Sequence, residues 1–393
     1  MLERYLTKDI LEALNDNKMV FISGPRQVGK TTLAKQIAEN YFKSRYSYLN
    51  WDDRFDKIKI LKQRLEPEKN LFIFDEIHKY RDWKNYLKGF YDKNKESIKI
   101  IVTGSAKLDI FRKSGDSLLG RYYHYRLFPL TMGELIHKEI NFDIEKPLKF
   151  VELDSDIKRN FEKLFLYGGF PEIFFSESQK KLRLWHNQRL SLLVKEDIRD
   201  ISNVRDLSLI EVLAIMLKDK VGSLLSINSI SEDLSVNHRT VDLWLEILEQ
   251  LYYHFRIYPY QSDRIKSLKK EGKLYLWDYS ELTEDSVKLE NLVAVHLLKF
   301  ANYLYDDEGY QTNLYFLRDK EQREVDFLIT LNNQPWFAVE VKKTFSTIPK
   351  NLLYFKQKIN IPFSYMIVMD DDIDFIEKDI RVINVAKFLT ALI

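Results

Sequence analysis

Hydrophobic positions in the first 130 residues follow two alternating patterns. Short apolar runs predict β-strands at residues 19–23, 46–50, 71–74, 99–103 and 122–128. Between these runs, apolar residues recur at spacings of three and four, which indicates helices with one buried face. Strands that alternate with helices predict an α/β fold, with a parallel sheet covered by helices on both faces.

The pattern changes twice further along the chain. From residue 131 to 250 it is mainly helical, and LYGGFPEIF at 166–174 interrupts it. From residue 271 strands and helices alternate again, so a further α/β unit is expected there. We therefore predict three regions, at residues 1–135, 136–262 and 263–393.

Composition limits the classes of protein that fit these 393 residues. The net charge is only +2, so any nucleic-acid contact must come from a local patch. The absence of cysteine excludes disulfides, zinc fingers and thiol catalysis. There is no apolar run long enough for a membrane span and no signal-like amino terminus, so we expect a cytoplasmic protein with no membrane partner.

The first predicted strand leads into GPRQVGKTT at residues 24–32, which matches GxxxxGK[ST]. Backbone N–H groups of such a loop surround phosphates, Lys30 reaches the β- and γ-phosphates, and the Thr31 hydroxyl binds Mg²⁺. An ordinary glycine turn between a strand and a helix is the alternative. Nucleotide contacts are expected from Gly24, Pro25, Arg26, Gln27, Val28, Gly29, Lys30, Thr31 and Thr32.

Two further strands end in polar residues. LFIFDE ends in Asp75, which can hold Mg²⁺ through water, and in Glu76, which can polarise the attacking water. IIVTGS ends in Thr103 and Ser105, either of which can sense the γ-phosphate from a strand between the other two. Each segment also fits a strand that runs into a plain polar turn.

Arg121 lies in SLLGRYYHYRLFP, after a predicted helix and just before the fifth strand. In a ring of subunits, an arginine here can reach the γ-phosphate bound by a neighbouring copy. A surface arginine paired with a carboxylate is an equal alternative.

The motifs GPRQVGKTT, IFDEIHK, VTGS, SLLGR and YGGFPE occur in this order. The chain thus resembles bacterial and archaeal AAA-type ATPases that carry a poorly characterised carboxy-terminal domain with a nuclease-like core. The resemblance implies a P-loop fold, and it implies ATP and Mg²⁺ as ligands. It also implies that Gly168, Gly169 and Pro171 shape a lid near the nucleotide, with a rigid loop between helices as the alternative.

A predicted short helix at 229–234, a longer helix at 238–251 and the strand-like YYHFRIYPY follow the order of a winged helix. Asp242, Glu246 and Glu249 share one face of the longer helix, where carboxylates would repel phosphate. We therefore favour a protein partner or a lid role for this region.

The segment DRIKSLKKEGK at 263–273 has a local charge of +3. It is suited to contact with a phosphate backbone, and it also fits a solvated hairpin.

Acidic residues interrupt two strands of the third region. Asp326 lies in EVDFLI, and Glu340 and Lys342 lie on one face of FAVEVKK. This set resembles the PD-(D/E)xK nuclease pattern and predicts a restriction-endonuclease-like α/β domain. Asp326 and Glu340 would ligate Mg²⁺, Lys342 would orient or deprotonate water, and Glu290 would add a fourth group. The alternative is a salt bridge between Lys342 and the carboxylates, without chemistry.

These motifs predict a P-loop ATPase core at 1–135, a helical lid with a winged-helix region at 136–262, and a nuclease-like domain at 263–393. We expect a Mg²⁺-dependent AAA-type ATPase whose nucleotide state repositions the later regions. The alternatives are an ATP-gated, metal-dependent nuclease acting on DNA and a regulatory module that binds ATP. Expected partners are nucleic acid at the carboxy-terminal domain, a protein at the winged helix, and further copies of the chain.

Overall fold

The computed structural model describes residues 2–62, 66, 68–104, 118–136, 143–194, 198, 206–261, 270–371 and 373–393. The chain forms two compact units, residues 1–129 with 250–252, and residues 130–249 with 253–393. No helix within the described ranges is both long and apolar enough to cross a membrane.

The first unit is built on a parallel sheet of five strands in the order β2-β3-β4-β1-β5. Its strands are β1 Met19–Ser23, β2 Tyr46–Asn50, β3 Leu71–Asp75, β4 Lys99–Thr103 and β5 Tyr122–Arg126. Its α-helices are α1 Thr7–Asn15, α2 Lys30–Ile37, α3 Arg54–Leu61 and α4 Trp83–Asn94. The predicted strands are confirmed, and β4 lies between β3 and β1 as expected.

The apolar alternation within these strands gives the sheet a buried core. Phe21, Phe72 and Phe74 point to one face and pack with Trp83 and Leu87 of α4. All five residues of β1 and of β3 are buried, so both faces of the central strands are covered. Because all five strands run parallel, their carboxyl ends meet at one edge of the sheet.

The second unit contains a mixed sheet of eight strands in the order β12-β13-β11-β10-β9-β8-β6-β7. The strands are β6 His254–Pro259, β7 Lys273–Leu276, β8 Thr312–Arg318, β9 Glu324–Leu331, β10 Gln334–Val341, β11 Phe363–Val368, β12 Asp374–Glu377 and β13 Ile380–Asn384. The sequence pattern predicts strands at KLYLWD, LYFLR, EVDFLIT, WFAVEVK and SYMIVM, which correspond to β7 to β11, and the strand-like YYHFRIYPY contains β6. It misses β13 and also β12, which is short and mostly exposed.

Helices precede this sheet in the chain and also pack on it. They are α5 Met132–Leu135, α6 Ser155–Tyr167, α7 Pro171–Ser176, α8 Gln179–Leu192, α9 Leu207–Leu217, α10 Ile227–Asp233, α11 His238–Gln250, α12 Asp285–Asp306, α13 Lys350–Lys358 and α14 Val385–Leu389. Helix α12 packs along β7, β8 and β9, and α13 covers a core that includes Leu352, Phe355 and Val325.

The region predicted as a winged helix contains the expected helices α10 and α11, followed by β6. Strand β6 pairs antiparallel with β7 and parallel with β8, so it forms part of the eight-stranded sheet. The predicted boundary at 262/263 therefore falls between two strands of one sheet. Winged-helix character remains a prediction.

Candidate functional site

The segment that matches the phosphate-loop pattern connects β1 to α2. Gly24 and Gly29 have φ angles of 137° and 98°, a region that favours glycine. A Cβ atom on Gly24 would lie 2.1 Å from the carbonyl oxygen of Leu127, so only glycine allows this close approach. The tip of the loop, Arg26 and Gln27, is exposed. The loop is therefore held at its base and accessible at its tip.

Lys30 is the first residue of α2, and its side chain is buried under the loop. Its Nζ donates to the carbonyl oxygens of Gly24 at 2.9 Å and Pro25 at 2.7 Å. A phosphate oxygen is a stronger acceptor for an ammonium group than a carbonyl is. Lys30 therefore lies where a bound phosphate would become its better partner, next to the positive end of α2.

Asp75 accepts hydrogen bonds from three hydroxyl groups at the carboxyl edge of the sheet. Thr31 Oγ1 lies 3.0 Å and Tyr48 OH 2.6 Å from Oδ2, and Thr103 Oγ1 lies 2.6 Å from Oδ1. Burial and the bond to Asp75 raise the pKa of Tyr48 well above its usual range, so its hydroxyl remains a donor at neutral pH. Three neutral donors orient the carboxylate without cancelling its charge.

Residues for a magnesium ion are thus present beside the loop. Thr31 and Asp75 offer a hydroxyl and a carboxylate oxygen about 3 Å apart, and Mg²⁺ prefers such oxygen ligands. The chemistry of this donor set fits Mg²⁺ bound together with nucleotide phosphates.

Glu76 follows β3 in a left-handed conformation, with φ 56°. Its backbone N–H donates to the carbonyl oxygen of Thr103 at 2.9 Å. Its Oε2 lies 3.5 Å from Nε2 of His78 and 3.6 Å from Nζ of Lys79. Burial raises the pKa of the Glu76 carboxyl, and the Lys79 charge opposes that rise. A carboxylate with a raised pKa is a better proton acceptor, as a general base requires.

Two residues that the sequence does not single out support this arrangement. Buried Arg4 donates to the carbonyl oxygens of Val28 at 2.8 Å and Phe128 at 2.6 Å, and so braces the loop. Tyr48 is one of the three donors to Asp75. The pairing of β2 with β3 explains why Tyr48 reaches Asp75. Asn50 lies opposite Asp75 in register, and Tyr48 is two residues before Asn50 on the same strand.

Arg121 does not join these residues within its own chain. It precedes β5 at the amino edge of the sheet, where its backbone oxygen accepts from Met19 at the start of β1. Its side chain forms a two-pronged ion pair with Asp92, at 2.8 and 3.0 Å. A role at the site of a neighbouring copy stays a prediction. Ser105 lies outside the described residues.

The second unit brings together the predicted residues of the third region. Val341 N–H donates to Oδ2 of Asp326 at 2.8 Å, and Lys342 Nζ lies 2.7 Å from Oε1 of Glu340. Glu290, on α12, accepts from the Tyr275 hydroxyl at 2.7 Å. We call Glu290, Asp326, Glu340, Lys342 and one further lysine, Lys273, the acidic centre.

Burial changes the acidity of this centre. It raises the pKa of Glu290 and of Glu340 to about 7 each, and the charge of Asp326 adds to both shifts. Within the described part of the chain, Oε2 of Glu340 is buried without a hydrogen-bond partner. Over the same residues, no group of three or more histidine, aspartate or glutamate side chains is arranged so that it could hold a metal ion. In this structure the centre is a network of carboxylates and lysines.

The three carboxylates predicted to share one face of α11 are not all unpaired, because Glu249 has a cationic partner. Glu249 is neutralised by Arg256, whose Nη2 lies 2.6 Å from Oε2. Asp242 and Glu246 remain in a groove together with His238. The basic segment 263–273 lies mostly outside the described residues, since 262–269 are among those not described, and its last residue, Lys273, is buried.

The YGGFPE segment is fixed within the second unit. Gly168 ends α6 with φ 75°, and a Cβ there would lie 3.1 Å from the Asp278 carboxylate. Leu130 N–H donates to the carbonyl oxygen of Gly169 at 2.7 Å, and Pro171 begins α7. The proposed lid role remains a prediction.

Comparison with known families supports the assignment of the first unit. Residues 16–136 match the family model described as an AAA domain. Residues 158–283 and 288–388 match two domains of unknown function, DUF8612 and DUF4143. Together with the parallel sheet and the loop between β1 and α2, the first match identifies an AAA-type P-loop domain. No nuclease family model is among these matches.

Relatives that span most of the chain come from archaea and bacteria. The uncharacterized protein MJ1544 of Methanocaldococcus jannaschii is 26% identical over 86% of this chain and 77% of the relative. An uncharacterized protein of Haemophilus influenzae is 22% identical over 83% of this chain and 82% of the relative.

Solved structures resemble the chain more distantly. The Walker-type ATPase PABY2304 of Pyrococcus abyssi has a TM-score of 0.40 at 14% identity, over 71% of this chain and 94% of its own. The Orc1 protein of Aeropyrum pernix, solved in complex with DNA, has a TM-score of 0.35 at 13% identity, over 74% and 92%. At these scores neither structure extends what the family match shows.

Proposed function

We propose that this chain is a Mg²⁺-dependent AAA-type ATPase. The observation that carries the proposal is the Asp75 carboxylate, oriented by Thr31, Tyr48 and Thr103 beside the loop that holds Lys30. Hydroxyl and carboxylate groups in that arrangement suit an ion that accompanies nucleotide phosphates. ATP is the nucleotide that the AAA match favours.

In this proposal each residue has one task. The loop N–H groups and Lys30 bind the phosphates, and Lys30 exchanges its carbonyl partners for phosphate oxygens. Thr31 and Asp75 would hold Mg²⁺, and the ion would supply positive charge beside the phosphates. Glu76 orients the attacking water and accepts its proton. Thr103 senses the γ-phosphate or orients the same water.

ATP turnover in the Lys30→Ala variant tests the proposal. Loss of the ammonium group should abolish both ATP binding and turnover, because Lys30 is the buried cation of the loop, whereas Arg26 is exposed at its tip. Lys95→Ala is the matched control, since Lys95 is exposed just before β4, at the opposite edge of the same sheet. Equal turnover in Lys30→Ala and Lys95→Ala would contradict the proposal. ATP binding without turnover in the unchanged chain would favour a regulatory ATP-binding module.

Nucleotide state is proposed to reposition the later regions, with functional domains at 1–135, 136–262 and 263–393. Support comes from the segment that follows β5. Leu127 contacts Gly24 of the loop, and a few residues later Glu134 forms a fully buried ion pair with Lys299 of α12, at 2.7 Å. Amide hydrogen exchange of α12 should therefore change when a non-hydrolysable ATP analogue binds, and should not change in Lys30→Ala.

The acidic centre supports a second candidate function, metal-dependent cleavage of phosphodiesters in DNA. The observation in its favour is the buried Oε2 of Glu340, which is left without a hydrogen-bond partner among the described residues, close to the charge of Asp326. Asp326 and Glu340 would hold the ion, with Glu290 beside them, and Lys342 would orient water.

Both candidate functions can be measured in the same tubes. ATP turnover is recorded with and without single- and double-stranded DNA, and the DNA products are then separated. Products that vanish in Asp326→Asn and in Lys342→Ala, with ATP turnover intact, are expected if the centre cleaves DNA. Uncut DNA under all conditions would contradict this second function alone.

A further inference from the structure

Lys273 is an unexpected member of the acidic centre. It is the first residue of β7, only 4% exposed, although the sequence places it at the end of a charged run. Its Nζ lies 2.5 Å from Oε1 of Glu324 and 3.7 Å from Oε1 of Glu290. A buried ammonium group thus lies between two carboxylates, as a counter-ion to both.

The backbone fixes this position from two sides. Residue 273 pairs with Ile257 of β6 and with Leu224 in an isolated bridge. Gly222, with φ 74°, brings its backbone against the Glu290 carboxylate, where a Cβ would lie 3.4 Å from Oε1. Lys273 and Glu290 are therefore held next to each other by main chain as well as by charge.

The charges around Lys273 nearly balance. Four carboxylates, those of Glu290, Glu324, Asp326 and Glu340, face three cations, namely Lys273, Lys342 and Arg318, which contacts Glu324 at 2.6 Å. With every group ionised, one negative charge is left over. Without Lys273 two would remain, the charge that one divalent cation neutralises.

We propose that Lys273 is a built-in counter-ion of the acidic centre, which lies against Glu290 and Glu324 and competes with a divalent metal ion for the carboxylates of the centre. The proposal rests on the second candidate function, which needs a metal ion at this centre. It goes further by making metal affinity depend on whether Lys273 stays in place.

The test is Mn²⁺ binding to the full chain without nucleotide, measured from the electron paramagnetic resonance signal of free Mn²⁺. Lys273→Met should bind one Mn²⁺ per chain about tenfold or more tightly than the unchanged protein, the size of effect that one charge a few ångströms away has on proton affinity. Lys273→Gln should behave like Lys273→Met. Lys273→Arg keeps the charge and should resemble the unchanged protein. Adding Asp326→Asn to Lys273→Met should abolish the gain.

Melting provides a second readout that is independent of activity. Lys273→Met should melt at a lower temperature than the unchanged chain in EDTA and recover when Mn²⁺ is added, because bound metal stabilises by mass action. Equal Mn²⁺ affinity in the unchanged chain and Lys273→Met, still lost with Asp326→Asn, would overturn the counter-ion proposal and leave the metal centre standing. Absence of Asp326-dependent binding in both proteins would overturn the two together.

Discussion

The two acidic sites of this chain differ in what surrounds their carboxylates. Asp75 accepts from the neutral hydroxyls of Thr31, Tyr48 and Thr103, which fix its orientation and leave its charge in place. In the acidic centre, Lys342 and Lys273 lie directly against carboxylates. We therefore expect the site of Asp75 to take its cation from solution, whereas ammonium groups supply a cation to the acidic centre from within the chain. The residue types alone do not distinguish the two cases, but their partners do.

The two sites also differ in whether their proposed cationic residues lie beside the carboxylates. The acidic centre has its lysines within one unit, whereas Arg121 lies at the edge of the five-stranded sheet opposite the phosphate loop. If a second copy supplies Arg121, Arg121→Ala should lower turnover by about 10³–10⁵ and leave ATP binding intact, since the lost charge acts on the transferring phosphoryl group. Turnover and binding of a fluorescent ATP analogue measure the two effects.

Asp92→Asn is the matched control for Arg121→Ala. It removes the same exposed ion pair but leaves the arginine, so turnover should be retained. Mixing Arg121→Ala with Glu76→Gln should restore part of the activity. Some boundaries between the two kinds of subunit then combine an intact Glu76 from one copy with an intact Arg121 from the other. A protein that stays monomeric in sedimentation with ATP bound would contradict the role of Arg121 in a second copy.

Substitution of Glu76 should have the next largest effect on ATP turnover. Glu76→Gln should reduce turnover by about 10²–10⁴, the usual contribution of a general base, while ATP still binds because the loop is unchanged. Glu96→Gln is the control, an exposed carboxylate just before β4 at the opposite edge of the sheet. Equal turnover in Glu76→Gln and the unchanged chain would remove Glu76 from the mechanism.

The stability of the acidic centre should depend on pH. The pKa of Glu340 is raised from 4.5 to about 7 by burial, so between these values the folded chain holds a proton that the unfolded chain has lost. The free energy of unfolding of the second unit should therefore fall as pH rises from 5 to 8. Glu340→Gln should remove on the order of 2 kcal/mol of that fall.

Urea unfolding at pH 5 and pH 8, in EDTA, measures this difference. Glu321→Gln, an exposed carboxylate before β9, is the control and should keep the full slope. A Glu340→Gln variant with the same pH dependence as the unchanged chain would show that Glu340 ionises normally. The lysines would then neutralise the centre more completely than the comparison of the two sites assumes.

Tyr48→Phe should have the smallest effect of these variants on turnover. It tests the contribution of one neutral hydroxyl donor to Asp75. Loss of one hydroxyl from a charged acceptor should lower the free energy of unfolding of the first unit by about 1–2 kcal/mol. Two donors and the carboxylate charge remain, so turnover should change only a few-fold. Tyr41→Phe, at a half-exposed ring, is the control in urea unfolding. A loss of turnover as large as that of Glu76→Gln would make Tyr48 part of the reacting machinery.

The sequence predicts which residues meet beside the phosphate loop better than it predicts the partners within the acidic centre, for a physical reason. Parallel strands end at one edge, so Asp75 and Thr103 must meet once β3 and β4 are neighbours, as their register shows. Arg4 and Lys273 reach their partners through packing between distant segments, and no local spacing reports that. Lys273 also lies in a run of charges, which usually indicates solvent, whereas pairing of β6 with β7 buries it.

Mn²⁺ binding to the unchanged chain, with and without a non-hydrolysable ATP analogue, tests the central contrast most directly. We expect one tightly bound Mn²⁺ per chain only when the analogue is present, lost in Lys30→Ala and unaffected by Asp326→Asn. This result would mean that the ATP site takes its cation from solution with the nucleotide, while Lys273 fills the acidic centre. Tight Mn²⁺ binding without the analogue that disappears in Asp326→Asn would contradict this account.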